Sequence, residues 1–347
     1  MVQKKRTIVI FAFVVDSLWD PDTVKSGLPG SEEALVYLSQ ALANLNYQVT
    51  VLVKPPDNSP HSKPNANPRF IEENPKSGEN YDIGISWRMP TIATYMRTLA
   101  KKVYLWPHET IHEKFTNDQM ISFDDVIWLS EWQRKQWIFH NPVFAKYTRV
   151  FGNGIDPTQF QPIKERDNPY SCIYGSNYGR GLRILLEIWP KVRKAFPKAT
   201  LDIYYGWRHW GALSVQQEKD LRNLVLKSST MDVKDHGLVS HEQLAEAYQI
   251  ASLWTYPCIA NETFCISALK AQLSGTIPVI IQGSALTETV RYGYQCSKPE
   301  EYLDLLLHAM SEAESITLAQ RQAMGRFILE NYTWVHIANR LKQLFEL

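Results

Sequence analysis

The chain has 347 residues, too many for one ordinary hydrophobic core, so two domains are expected. Hydrophobic residues make up 44% and charged residues 21%, which excludes the disordered and fibrous classes. With 37 basic against 36 acidic residues the net charge is +1, so no global field draws the chain to nucleic acid.

The opening MVQKKRTIVIFAFVV imitates a signal peptide, with a basic start and an apolar run. Asp16 interrupts the run and no small-residue cleavage site follows, so Ile8–Val15 reads as a first buried strand. Ser31–Asn44 is an amphipathic helix opened by Ser31, with two acids in its first turn, and Gln48–Val53 is a second strand. Pro55 to Gly78, rich in Pro, Asn and Lys, reads as an exposed loop. Tyr81–Ser86, Lys102–Trp106 and Asp125–Ser130 are further strands with helices between them, the rhythm of a parallel sheet with right-handed crossovers.

Residues 153–168 are polar and Pro-bearing and read as a linker, after which the rhythm restarts. Strands are expected at Tyr170–Tyr174, Thr200–Tyr205, around Asp235–Gly237 and at Leu253–Tyr256. Helices are expected at Gly181–Phe196, Ser214–Lys227, Glu242–Ile250, Pro299–Glu314 and Leu318–Leu347. The stretch YPCIANETFCISALKAQLSGTIPVII places Asn261 and Glu262 at a helix entrance, where free N–H groups attract anions. Ile277–Ile281, apolar on both faces, suits a central parallel strand. Ligands bind at the carboxyl ends of such strands, and two α/β halves place one between domains. No apolar stretch approaches the roughly 20 residues that span a bilayer, which leaves room only for a peripheral membrane association. Cys172, Cys258, Cys265 and Cys296 lack CxxC spacing and suit a reduced, cytoplasmic chain.

The blocks LPGSEEALVYLSQAL, LSEWQRKQ, NGIDPTQF, SNYGRGLRILLEIWPKVRKAFPKATLDIYYG, HGLVSHEQLAEAY, the Tyr256–Ile281 stretch with GSALTETV, and YTWVHIANRLKQLF occur in one order. Together they make the chain resemble a glycosyltransferase of the GT-B fold, family four, the retaining and nucleotide-sugar-dependent group. That resemblance implies an α/β fold with two Rossmann-like domains facing each other across a central cleft. Residues 1–155 would form the acceptor side and 156–330 the donor side, with 331–347 a helix returning to the first domain. It implies transfer of a sugar from a nucleoside-diphosphate sugar, the co-substrate, to a glycan, lipid or protein acceptor, with no cofactor and no metal. The nucleotide, the sugar, the acceptor and the oligomeric state stay open.

The resemblance also assigns residues. Gly27, Gly30 and Ser31 form the turn that lets backbone approach the donor or acceptor. Arg180 matches the basic residue at the donor diphosphate, where a guanidinium neutralises the leaving group. Ser176, Asn177 and Gly179 precede it, but Tyr174–Asn177 lacks the second base often present in relatives. Glu262 matches the carboxylate beside the transferred sugar, with Thr263, Phe264 and Cys265 supplying N–H groups. The second glutamate of the family pair falls on Lys270, which has no acceptor for a ribose hydroxyl. Glu288 lies near a donor-side acidic position, with helix capping an equal alternative. His108 matches the histidine near the acceptor and donor sugar, with a structural histidine as the alternative.

His108-Glu-Thr-Ile-His112 also spells HExxH, the helical zinc-protease signature. Pro107 and the preceding strand argue against a helix there. A nucleotide-sugar 2-epimerase and a non-catalytic partner subunit, the latter motivated by Lys270, are nearer alternatives. Trp207-Arg-His-Trp210 reads either as a sugar-stacking or membrane-surface loop or as packing against a neighbouring helix.

Overall fold

The computed structural model describes residues 5–13, 18–72, 80–111, 113–115, 123–207 and 213–347. The chain forms two compact units, one of Met1–Val24, Leu28–Asp156 and Tyr332–Leu347, the other of Lys25–Gly27 and Pro157–Asn331.

In the first unit six strands, β1 (Thr7–Phe11), β2 (Gln48–Leu52), β3 (Arg69–Ile71), β4 (Tyr81–Trp87), β5 (Ala100–Trp106) and β6 (Asp125–Val126), form a sheet in the order β3-β2-β1-β4-β5-β6. Every pairing in it is parallel. In the second unit β7 (Ser171–Gly175), β8 (Thr200–Tyr204), β9 (Val233–Gly237), β10 (Leu253–Tyr256), β11 (Ile277–Ile281) and β12 (Tyr294–Cys296) take the order β12-β11-β10-β7-β8-β9, again all parallel. The two orders are the same doubly wound topology. In each the chain leaves its first strand to one side and returns on the other, which opens a crevice between β1 and β4 and between β7 and β10.

Central strands are apolar on both faces because helices cover both. All residues of β7, β10 and β11 are buried. Pro278 is tolerated inside β11 because Ile277 N–H already bonds to Ser252 O on the β10 side, whereas β12 pairs only from Val279 onward. At the opposite edge from the crevice, the buried Arg321 donates to Ser252 O, Gly275 O and Ser252 Oγ at 2.7–3.1 Å, tying the starts of β10 and β11 together.

Several expected elements change. Ser31 does not open its helix: Gly30–Asn44 starts after Pro29 without a side-chain cap, and Ser31 Oγ donates to Glu32 Oε2 at 2.7 Å. The expected loop at 55–78 contains edge strand β3, and β12 also escapes the pattern, each only three residues long. β6 stops at Val126, since Ser130 instead caps helix Glu131–His140 through Gln133 N–H. The C-terminal run is two helices, Leu318–Asn331 and Trp334–Phe345, because Thr333 caps the second. That last helix belongs to the first unit, where Phe345 meets Tyr104 and Tyr47 at ring distances of 5.0 and 6.2 Å and Ile155 bridges Thr333. Glu262 is not at a helix entrance: the helix runs Ile266–Leu273, with Cys265 in the left-handed conformation at its N-cap. Val14 and Val15 lie outside the described residues.

Candidate functional site

The crevice of the second unit is built by two turns. After β7, Asn177 organises a tight turn: its Oδ1 accepts from Gly179 N–H at 2.8 Å, and its carbonyl accepts from Arg180 N–H at 2.9 Å and Tyr174 OH at 2.7 Å. Gly181 follows with φ +103, where a Cβ would stand 2.1 Å from Pro257 O. Only glycine lets helix Leu182–Ala195 begin this close to the end of β10. After β10, the loop from Pro257 carries Glu262 to the Cys265 cap. Neither helix N-terminus receives a side-chain cap, so backbone N–H groups at both stay available.

These turns bring Ser176, Arg180 and Glu262 together. Arg180 Nη1 lies 2.8 Å from Glu262 Oε1 as an ion pair, without the alignment of a hydrogen bond. Burial is the strongest single influence and works against the guanidinium charge, but the surrounding groups, Glu262 first among them, together outweigh it and raise the arginine above its ordinary pKa. The same Oε1 accepts from Tyr256 OH at 2.5 Å and from Cys258 Sγ at 3.8 Å. Ser176 Oγ stands 3.2 Å from Tyr256 OH. Burial, then the Glu262 charge, push the Tyr256 hydroxyl well above the usual tyrosine range and the Cys258 thiol up to about 11. Both therefore stay protonated and able to donate at neutral pH. The Glu262 backbone is fixed at both ends, its N–H donating to Ser284 Oγ at 2.9 Å and its carbonyl accepting from Ala285 N–H at 3.1 Å.

Thr263 and the buried Phe264 connect Glu262 to Cys265. Cys265 takes φ +78, a conformation that glycine usually supplies. Lys270 is buried inside helix Ile266–Leu273, one turn beyond Ser267, whose Oγ donates to Gly175 O at 3.0 Å. Glu288 sits in the short helix Leu286–Thr289 that follows Ser284 and Ala285, and its N–H donates to Ala285 O at 3.0 Å. Trp207 packs edge-on against Tyr178 at 4.7 Å, lies under Arg222 at 4.2 Å, and donates to Asp235 Oδ2 at 3.1 Å. The remainder of the Trp207–Trp210 motif lies outside the described residues.

In the first unit His108 stands two residues past the end of β5, after Pro107, in a buried aromatic setting, with ring centroids 4.6 Å from Trp106 and 5.7 Å from Trp87. Burial, and then the nearby Arg88 charge, hold its pKa well below the ordinary value, so the ring is neutral. Residues 107–111 are not helical, and the Glu109 carbonyl accepts from Trp137 Nε1 at 2.9 Å, so this segment lacks the helical frame of an HExxH zinc site. His112 itself is outside the described residues. Gly27 has φ +93, whereas Gly30 begins the helix that carries Ser31. In the first turn of that helix the buried Glu32 faces Arg88 at 3.9 Å, and Arg88 also pairs with Glu109. Burial raises the pKa of both glutamates.

Arg88, Glu32 and Tyr256 were not singled out by sequence. Tyr256 ends β10 and Arg88 follows β4 immediately, the signal that could have found them, whereas Glu32 sits in the first turn of helix Gly30–Asn44, well past the end of β1. Among the described residues one group of metal-capable side chains converges, Asp20, Asp22 and His61. Asp20 is already engaged there: Oδ1 accepts from Asp22 N–H and Thr23 N–H, and Oδ2 from Ser59 Oγ, which closes a turn. No helix among the described residues is long and apolar enough to cross a membrane.

No family model and no curated protein sequence matches the chain. Solved structures do. A sucrose-phosphate synthase from Thermosynechococcus elongatus superposes with a TM-score of 0.75 at 15% identity, covering 99% of this chain and 98% of that one. The Anabaena protein HepE in complex with UDP matches at 0.71 and 14% identity, covering 98% and 99%. The lipopolysaccharide outer core galactosyltransferase WaaB matches at 0.66 and 14%, covering 98% and 99%. At these identities the likeness is one of fold: the chain has the α/β GT-B architecture, with two Rossmann-like domains each built on a six-stranded parallel sheet.

Proposed function

We propose that the protein is a glycosyltransferase that takes a sugar from a nucleoside-diphosphate sugar held by the second unit. The observation that carries this reading is the convergence of Arg180 and Glu262 at the β7/β10 switch point, beside two helix N-termini without side-chain caps. HepE, of the same fold, is seen with UDP and with UDP-glucose, which supports a uridine nucleotide as the first donor to test.

In this reading Arg180 and the helix N–H groups face the diphosphate, and Glu262 accepts hydrogen bonds from the sugar hydroxyls. The bond between the anomeric carbon and the diphosphate oxygen breaks with its electron pair going to the diphosphate, whose growing charge Arg180 offsets. The acceptor hydroxyl attacks from the same face and passes its proton to the departing phosphate oxygen, which retains the anomeric configuration. The protein provides the charge stabilisation, so no metal enters the scheme. Ser176, Asn177, Gly179, Thr263, Phe264, Cys265, Lys270 and Glu288 complete the donor surroundings. The acceptor is assigned to the first unit, around Gly30, Ser31 and the neutral His108, and Gly27 to the donor or the acceptor.

The test is release of nucleoside diphosphate from UDP-, GDP- and ADP-glucose with EDTA present, and NMR of the product anomer. Arg180→Ala and Glu262→Ala should each lower turnover tenfold or more, about 1.4 kcal/mol. Near-wild-type rates in both would remove the site assignment. Conversion of free donor to its 2-epimer, without transfer, would replace the transferase reading with the epimerase one.

A further inference from the structure

We propose that Tyr256, backed by Ser176, is the positioning residue that keeps Glu262 set to receive a sugar hydroxyl once Arg180 has turned to the diphosphate. The inference rests on the donor reading above and adds a division of labour within it.

Every hydrogen bond that the Glu262 carboxylate accepts from the described residues falls on Oε1, and so does its shortest contact with Arg180. The two main partners of Oε1 differ in kind. The Arg180 side chain is 37% exposed and poorly aligned. An incoming diphosphate, which can take both arms of a guanidinium, competes well for it. Tyr256 has no such alternative. It is completely buried, stacked on Trp254 at 4.8 Å and 16°, with Tyr174 5.8 Å away, so its hydroxyl cannot follow a ligand.

The proton count gives the chain a direction. A tyrosine hydroxyl has one proton, and Tyr256 donates it to Glu262 Oε1. The 3.2 Å contact with Ser176 must therefore run from the serine hydroxyl to the tyrosine oxygen. Ser176 to Tyr256 to Glu262 is then a one-way relay in which each donation strengthens the next. With Ser284 and Ala285 fixing the backbone of Glu262, the carboxylate is held from both ends. Its Oε2 is left to accept from a ligand. Nucleotide affinity should thus depend on Arg180, and discrimination for the attached sugar on Tyr256.

Calorimetric titration separates these roles, using UDP, GDP, ADP and their glucose conjugates and following the pair that binds best. Tyr256→Phe keeps the buried ring and removes only the hydroxyl. It should weaken the glucose conjugate about tenfold while changing the free nucleotide by less than about twofold. Tyr256→Phe combined with Glu262→Gln should bind no worse than Glu262→Gln alone, because both act through one carboxylate. Ser176→Ala, which disturbs no ring packing, should show the same split at about threefold, and carries the test if the phenylalanine variant does not fold. Equal losses for nucleotide and conjugate, additive losses in the double variant, or no loss would overturn the proposal. Failure of the wild-type protein to bind any pair would overturn the donor reading and this inference with it.

Discussion

Gly181→Ala tests the close approach on which the crevice depends. At φ +103 an alanine costs about 1–2 kcal/mol relative to glycine. Its Cβ would also stand 2.1 Å from Pro257 O and 2.7 Å from Pro257 C, both backbone atoms at the end of β10. Nothing flexible can give way there, so helix and strand must separate, and forced overpacking adds about 1–3 kcal/mol. The sum, about 2–5 kcal/mol, is a large fraction of the roughly 5–15 kcal/mol that holds a domain together. Gly237→Ala is the control: its φ is +67, but nothing lies within 4 Å of the added methyl, so only the backbone cost applies. Urea unfolding followed by tryptophan fluorescence reads both, since Trp189 and Trp254 are buried in this unit. Gly181→Ala should lose clearly more stability than Gly237→Ala and should bind nucleotide more weakly, because Arg180 moves with the helix start. Equal losses in the two variants would refute the packing argument.

Arg180→Lys should recover only part of the affinity lost in Arg180→Ala, because an ammonium cannot make the two parallel bonds of a guanidinium; titration with the best-binding nucleoside diphosphate checks this. Lys270→Glu exchanges a positive for a negative charge on the helix whose start borders the crevice, and should weaken that nucleotide about tenfold; tighter binding would mean that the lysine serves no charge role. His108 gives a pH signature. The folded state holds its pKa below the ordinary 6.5, so the unfolded chain takes up the proton first, and stability is lost as pH falls below about 6.5. The slope from this group is at most about 1.4 kcal/mol per pH unit, and unfolding of His108→Phe between pH 7 and 5 should show it reduced.

The second sheet was legible because its central strands are continuous apolar runs bounded by turn residues, as in Leu253–Tyr256 and Ile277–Ile281. The edge strands Arg69–Ile71 and Tyr294–Cys296 were not, since three residues with one buried position carry no period. The pairing of Glu262 with Arg180 is local geometry that two loops bring about, and the family resemblance implied one ligand for both residues without showing that they touch. The helix after Glu262 was set too early because a non-glycine residue, Cys265, occupies the left-handed cap, a choice that composition does not announce. Tyr256 escaped notice for a similar reason: along the chain it is the last apolar residue of a strand, and only the returning loop puts a carboxylate against its hydroxyl.

The central claim is that the β7/β10 crevice is a nucleotide-sugar donor site organised by Arg180 and Glu262. Calorimetric titration of the wild-type protein and Arg180→Ala with UDP, GDP and ADP addresses it most directly, without knowledge of the acceptor. One of the three should bind the wild-type protein, and its affinity should fall tenfold or more in Arg180→Ala. Binding of none of them, or equal affinity in the variant, would contradict the claim.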